Sequence, residues 1–182
     1  MADLRTESER LNLTSTGMWF VAGGVFVVVR AAMELADPVY WNPSSLFDYS
    51  AATLTTIAWI VTGVAFMLWS RTIPIRWGSM FLLVAGVGTA VSGIGNFLED
   101  VLDLEFGELL FTYGGMIGAI GILLAAVAML TVRSSLRWSA LLLLTFLAGA
   151  VFPDNGGQFA TGASLIPLGI WLFKYRPTLG SG

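Results

Sequence analysis

Apolar positions in this chain neither alternate nor repeat on one helical face; they run on without interruption and are then broken by short polar stretches. The runs cover residues 17–36, 51–70, 77–98, 109–132, 138–152 and 159–173. A helix that crosses a bilayer needs ~20 largely apolar residues, with a range of about 17 to 25. Backbone polar groups in lipid must be satisfied within their own segment, so each run is expected to be a helix. No strand-like alternation competes. The predicted fold class is an all-α integral membrane protein, with six transmembrane helices as three tandem helical hairpins in one compact bundle.

The breaks support this division. Residues 37–50 hold Pro38 and Pro43 among turn formers, and Arg71 to Arg76 is a tight turn with Pro74. Glu99-Asp100 ends the third run, Arg133 to Arg137 separates the fourth from the fifth, and Pro153-Asp154-Asn155-Gly156-Gly157 separates the last two. Thr14, Ser15 or Thr16 is placed to cap the first helix. The expected layout is an N-terminal cytoplasmic segment at 1–13, one six-helix transmembrane domain at 14–176, and a short cytoplasmic tail at 177–182. The hairpins fall at about 17–70, 77–132 and 138–173.

Charge then orients the chain. Of its 9 basic residues, Arg5, Arg10, Arg71, Arg76, Arg133, Arg137, Lys174 and Arg176 fall on one side of the predicted bundle. Asp37, Asp48, Glu99, Asp100, Asp103, Glu105, Glu108 and Asp154 fall on the other. Lys/Arg excess in short loops marks the cytoplasmic face, so both termini are expected in the cytoplasm of a multi-pass cell-membrane protein. The polar, mixed-charge segment before residue 13 and the absence of a small-residue cleavage site give no expectation of a signal peptide.

Composition agrees. The 182 residues are 56% hydrophobic and 12% charged, with a mean hydropathy of +0.79. Soluble domains are typically ~25% charged. The net charge of −3 reflects segregated signs rather than an acidic partner. With neither Cys nor His in the chain, disulfides, thiol catalysis, His-based triads and thiolate or imidazole metal sites are excluded. No cofactor is expected. No phosphate loop, dinucleotide fingerprint or nucleophile elbow occurs, and no basic stripe suits nucleic acid.

An internal repeat is suggested by Arg76-Trp77 and Arg137-Trp138, 61 residues apart, with Gly17-Met18 and Gly78-Ser79 at the same offset. Gly86, Ala90 and Gly93, and Gly114, Gly118, Gly121 and Ala125, mark faces where backbones can approach closely; packing within one bundle is the simpler use. Trp41, Trp69, Trp77, Trp138, Tyr40, Tyr49, Tyr113 and Tyr175 lie near run ends and fit an interfacial aromatic belt.

Candidate chemistry is confined to the acidic side. Arg30 and Glu34 are four apart on the first helix and can pair. An Arg near the bilayer centre costs at least ~2.5 kcal/mol, so it faces a bundle interior or a wet cavity unless it snorkels to the interface. Asn96 and Glu99 end the third helix, where they can face Arg30; as alternatives, Glu99 and Asp100 are solvated helix-end residues. Val101, Leu102, Leu104 and Phe106 among acids suggest a short segment on the membrane surface. The fifth run reaches only roughly 22 Å at 1.5 Å per residue, short of a ~30 Å core. The turn after it is therefore expected to be recessed, with Asp154, Asn155 and Gln158 on a pocket floor, unless the bilayer thins locally.

The ligand-binding set is thus Arg30, Glu34, Asn96, Glu99, Asp154, Asn155 and Gln158. Three functions remain open. One is an accessory or scaffold subunit with a membrane-protein partner. Another is a binding or carrier-like protein holding a small or amphiphilic ligand in an outward-facing polar pocket. The third is an acid/base enzyme acting on a lipid or isoprenoid. Membrane lipids are partners in all three.

Overall fold

A computed structural model describes residues 2–36, 43–132, 136–152 and 156–174. Among these it contains six helices and no strand: α1 (Ala2–Ala36), α2 (Leu46–Ser70), α3 (Arg76–Asn96), α4 (Phe106–Leu130), α5 (Leu136–Val151) and α6 (Gly157–Lys174). A π-helical turn, Phe97–Val101, continues α3. Four segments are long and apolar enough to cross a membrane: Leu11–Ala36, Leu46–Ser70, Arg76–Val101 and Phe106–Leu130. α5 is a shorter apolar helix. The architecture is that of a membrane-type helical bundle.

Several boundaries differ from the sequence reading, each for a local reason. α1 runs unbroken back to Ala2. No Gly or Pro precedes Gly17, and Ala, Leu, Arg and Glu favour the helix. Thr16 is therefore not a cap; its hydroxyl donates to Asn12 O at 2.7 Å inside the helix. α2 starts at Leu46 because Ser45 and Asp48 form a capping box. Asp48 N donates to Ser45 Oγ at 3.1 Å, and Asp48 Oδ2 accepts from Ser45 N at 3.0 Å. The expected surface segment after residue 100 is instead a sharp reversal. Leu104 N donates to Leu98 O at 2.8 Å, Asp103 takes φ 54°, and α4 begins at Phe106. Asp tolerates this left-handed backbone better than most residues.

Each helix packs on its chain neighbours, and α1 also packs on α6, so the six close into a ring. Neighbours are antiparallel, since close approaches run in opposite directions along the two chains. On α1 and α6, Gly17 meets Gly169 and Gly24 meets Gly162. On α2 and α3, Gly63 meets Gly86 and Ile60 meets Gly93. On α3 and α4, Gly88 meets Gly118 and Gly95 meets Phe111. These are backbone contacts: a Cβ on Gly63 would stand 2.7 Å from Gly86 O. Gly86, Ala90 and Gly93 thus face α2, while Gly88, Ser92 and Gly95 form the seam with α4. Dense packing of small residues of this kind holds helices together where lipid supplies no hydrophobic drive.

Alternation places Arg71, Arg76, Arg137 and Lys174 at one end of the bundle and Glu34, Asp48, Glu99, Asp100, Asp103, Glu105 and Glu108 at the other. The core fills the ring unevenly between these basic and acidic ends. Phe20, Phe66, Trp69, Leu82, Ile122, Met129, Leu168 and Leu172 are fully buried, all in the basic halves of their helices. Leu143, Phe146 and Leu165 are fully buried near mid-height. Phe20 lies edge-on to Phe66 (5.1 Å) and Trp69 (5.6 Å), and Phe66 edge-on to Phe146 (5.8 Å), which ties α1, α2 and α5 across the ring.

Trp69 corrects the aromatic-belt assignment. It is 1% exposed, whereas Trp77 and Trp138 are 62% and 70% exposed. Trp69 shares the inward stripe of α2 with Thr62 and Phe66, so its indole fills the basic end of the core. Tyr49 and Tyr113 are exposed as expected. Trp41, Tyr40 and Tyr175 lie outside the described residues.

Candidate functional site

The inward stripe of α1 steps by seven residues: Leu13, Phe20 and Val27 are buried, and the next step is Glu34. On α6 the stripe Leu172, Leu165 leads by the same step to Gln158. Seven residues is close to two helical turns, so these positions share one face. Glu34 and Gln158 therefore continue the core face of their helices at the acidic end, where the core turns from apolar to polar.

There the two helices are joined. Gln158 Nε2 donates to Glu34 Oε2 at 2.8 Å, and Arg30 Nη1 donates to the same oxygen. The Arg30 and Glu34 side chains are 18% and 33% exposed, so the ion pair is largely withdrawn without being sealed. A shared acceptor of this kind fixes the rotamer of all three side chains. Arg30 also lies within electrostatic reach of Asp100 in the π-helical turn. Glu99 adjoins Asp100 and is coupled to Glu108 on α4; both Glu99 and Asp100 are half-buried.

The remaining sequence-derived candidates divide. Asn96 does not face Arg30: it is 6% exposed and donates to Ala52 O and Thr56 Oγ1 on α2, both at 3.2 Å. The amide is taken up by α2 because Asn96 lies on the α2 side of α3, one turn past Gly93. Glu99 makes no hydrogen bond to Arg30. Asp154 and Asn155 lie outside the described residues. The brevity of the flanking helices holds: at 1.5 Å per residue α5 is roughly 24 Å long and α6 roughly 27 Å. Gly156, at the start of α6, has φ 75°, which an L side chain rarely adopts.

Hydroxyls around the acidic half join neighbouring helices. Ser92 donates to Phe111 O at 3.0 Å, and Thr161 to Phe146 O at 3.4 Å while also donating to Gly157 O, at 3.0 Å, within its own helix. The buried Thr62 hydroxyl has no hydrogen-bond partner among the described residues. It faces Gly23 of α1, where a Cβ would stand 2.5 Å from the hydroxyl oxygen. No grouping of three or more potential metal ligands occurs among the described residues.

Of the two helix-end acids, Asp100 lies within electrostatic reach of Arg30. Trp59 packs on the core and lies edge-on to Phe146 at 5.9 Å. It sits two turns above Phe66, where the aromatic core gives way to the polar layer. The seven-residue step from Val27 to Glu34 and from Leu165 to Gln158 was legible in the sequence; the reach of Asp100 was not.

No known protein family, curated protein or solved structure matches the chain.

Proposed function

We propose that this is a six-span cell-membrane protein that holds a small or amphiphilic ligand by its polar group at the acidic end of the bundle. In this reading all six helices cross as three tandem hairpins, the basic end and both termini are cytoplasmic, and the site faces outward. The observation that carries it is the inward stripe of α1. Leu13, Phe20 and Val27 lead to the Arg30–Glu34 pair, which Gln158 of α6 joins. Charged groups in a membrane interior are costly and are retained where they meet a ligand or a pathway. An apolar floor with a few convergent polar groups is the usual form of a small-molecule site.

A second reading, the accessory or scaffold subunit, has its own support. Asn96, Ser92 and Thr161 all bond to the backbone of a neighbouring helix, as residues that only join helices would.

The two readings separate in native mass spectrometry of the protein released from its own membranes. The ligand reading expects a bound amphiphile at fixed stoichiometry in the wild type that is lost in Glu34→Gln and Gln158→Ala. Wild type and variants carrying the same bulk lipids would leave the scaffold reading standing.

A further inference from the structure

We propose that two corners at the basic end, one formed by Arg71, Arg76 and Trp77 and the other by Arg137 and Trp138, each bind the phosphate headgroup of an anionic phospholipid. The proposal rests on the membrane-spanning reading above and not on the ligand at the acidic end.

Charge is the first argument. Arg71, Arg76 and Arg137 are exposed, and among the described residues none of them makes an ion pair. Neither α3 nor α5 carries an acidic residue in its first turn. Arg76 opens α3, and Arg137 follows Leu136, the first residue of α5. A cation is disfavoured at that end of a helix and an anion is favoured. Orientation in the membrane asks for positive charge on this face, but not for its placement where the helix opposes it. A phosphate drawn to both corners offsets that opposition and neutralises the arginines together. Basic clusters at the ends of membrane helices attract anionic headgroups for the same reason.

Fixed geometry is the second argument. The α2–α3 turn is pinned from within the bundle: Ile73 joins the core, and Ser79 Oγ of α3 donates to Ser70 O of α2 at 2.6 Å. Arg71, Arg76 and Trp77 are left on the outside of that turn. The Trp77 indole is stacked on Phe81, with ring centroids 6.2 Å apart. At the other corner, Arg137 Nε donates to Val132 O at 3.0 Å. This holds the guanidinium and leaves its Nη groups as donors to a phosphate. An exposed tryptophan follows the arginine at both corners, as suits the headgroup level of a bilayer.

Dioleoylphosphatidylglycerol and dioleoylphosphatidylcholine share their chains and differ in headgroup charge. Each is titrated into delipidated protein in a neutral detergent, and native mass spectrometry counts the lipids bound. Two phosphatidylglycerols per chain are expected, at concentrations about tenfold below those at which phosphatidylcholine binds. Arg137→Gln should weaken one of the two sites about fivefold, and Arg71→Gln with Arg76→Gln the other about twentyfold, on the scale of one arginine per headgroup contact. Lys174→Gln removes the same charge from the same end of the bundle, outside either corner, and should leave both sites unchanged. Thermal midpoints in detergent alone identify any variant that merely unfolds. Equal weakening by Lys174→Gln, or phosphatidylcholine bound as tightly as phosphatidylglycerol, would overturn the assignment in favour of diffuse surface charge. None of these substitutions touches the acidic end, so an amphiphile held there should stay bound. Recovery of the chain in the soluble fraction of cells would overturn the membrane-spanning reading itself.

Discussion

Gln158 reaches across 124 positions of sequence to donate to the Glu34 oxygen that Arg30 also holds. This hydrogen bond joins α1 and α6, the first and last helices of the ring, at the acidic end. A hydrogen bond to a charged group contributes about 1.5–3 kcal/mol, less when it is partly exposed. Gln158→Ala should therefore destabilise by about 1–2 kcal/mol. In the Glu34→Gln background the same change should cost less, with a coupling of about 0.5–1.5 kcal/mol. Reversible unfolding in mixed micelles measures the cycle; strict additivity would mean that the bond is not formed.

Gly114 and Gly115 are sequence neighbours with opposite expectations. A Cβ on Gly114 would stand 2.6 Å from Ser92 N, whereas on Gly115 its nearest neighbour is Ser92 Oγ at 3.5 Å. Gly114→Ala forces α3 and α4 apart and should cost about 2 kcal/mol or more, by analogy with overpacked cores. Gly115→Ala should be neutral or stabilising by up to about 1 kcal/mol, from helix propensity. Comparable losses at both positions in a thermal-shift assay would contradict the α3–α4 seam.

Asn96 binds α3 to α2 through Ala52 and Thr56. Side-chain hydrogen bonds between membrane helices average ~0.6 kcal/mol, up to ~1.7. Asn96→Ala should cost about 1 kcal/mol in stability. It should leave amphiphile binding unchanged, since the amide faces α2 rather than Arg30. A binding defect without a stability defect would return Asn96 to the site.

Trp69 and Trp138 both lie near helix ends, yet only Trp69 is buried. Trp69→Ala should cost about 3–5 kcal/mol, the range for emptying a packed aromatic site. Trp138→Ala should shift stability by no more than about 0.5 kcal/mol. Brominated lipids should quench Trp138 and leave Trp69 emission intact. Quenching of both would place Trp69 at the lipid surface.

The chain has no cysteine, so single labels can be introduced on a clean background. Thr72→Cys, at the basic end, should react with a membrane-impermeant maleimide only after cells are opened. Asp103→Cys, in the acidic turn, should react in intact cells. The reverse pattern would invert the proposed orientation.

Helix order and the location of polar chemistry were readable from the chain. Long apolar runs admit one solution in lipid, and short turns make neighbours antiparallel. The i, i+4 spacing paired Arg30 with Glu34 before any tertiary contact was considered. Helix ends were less readable. The Ser45-x-x-Asp48 capping box that starts α2 at Leu46 lies inside the proline-containing, turn-rich stretch 37–50, whose composition masks it. α1 extends to Ala2 because nothing in residues 2–13 stops a helix, although their polarity suggested a separate segment.

What the sequence by itself determined is an apolar helical chain with segregated charge and one polar locus around Arg30, because each follows from local hydropathy and helical period. Only the tertiary structure decided which groups meet. The same residue, Asn or Trp, serves core, partner helix or surface according to the rotation of its helix, and rotation is set by close packing of small residues between helices. That packing turned Asn96 to α2, sank Trp69 into the core, and brought Gln158 to Glu34 and Asp100 within reach of Arg30. Spacing along the chain sets the face on which each residue lies; which faces meet depends on closure of a six-helix ring, whose geometry is a property of all its interfaces at once.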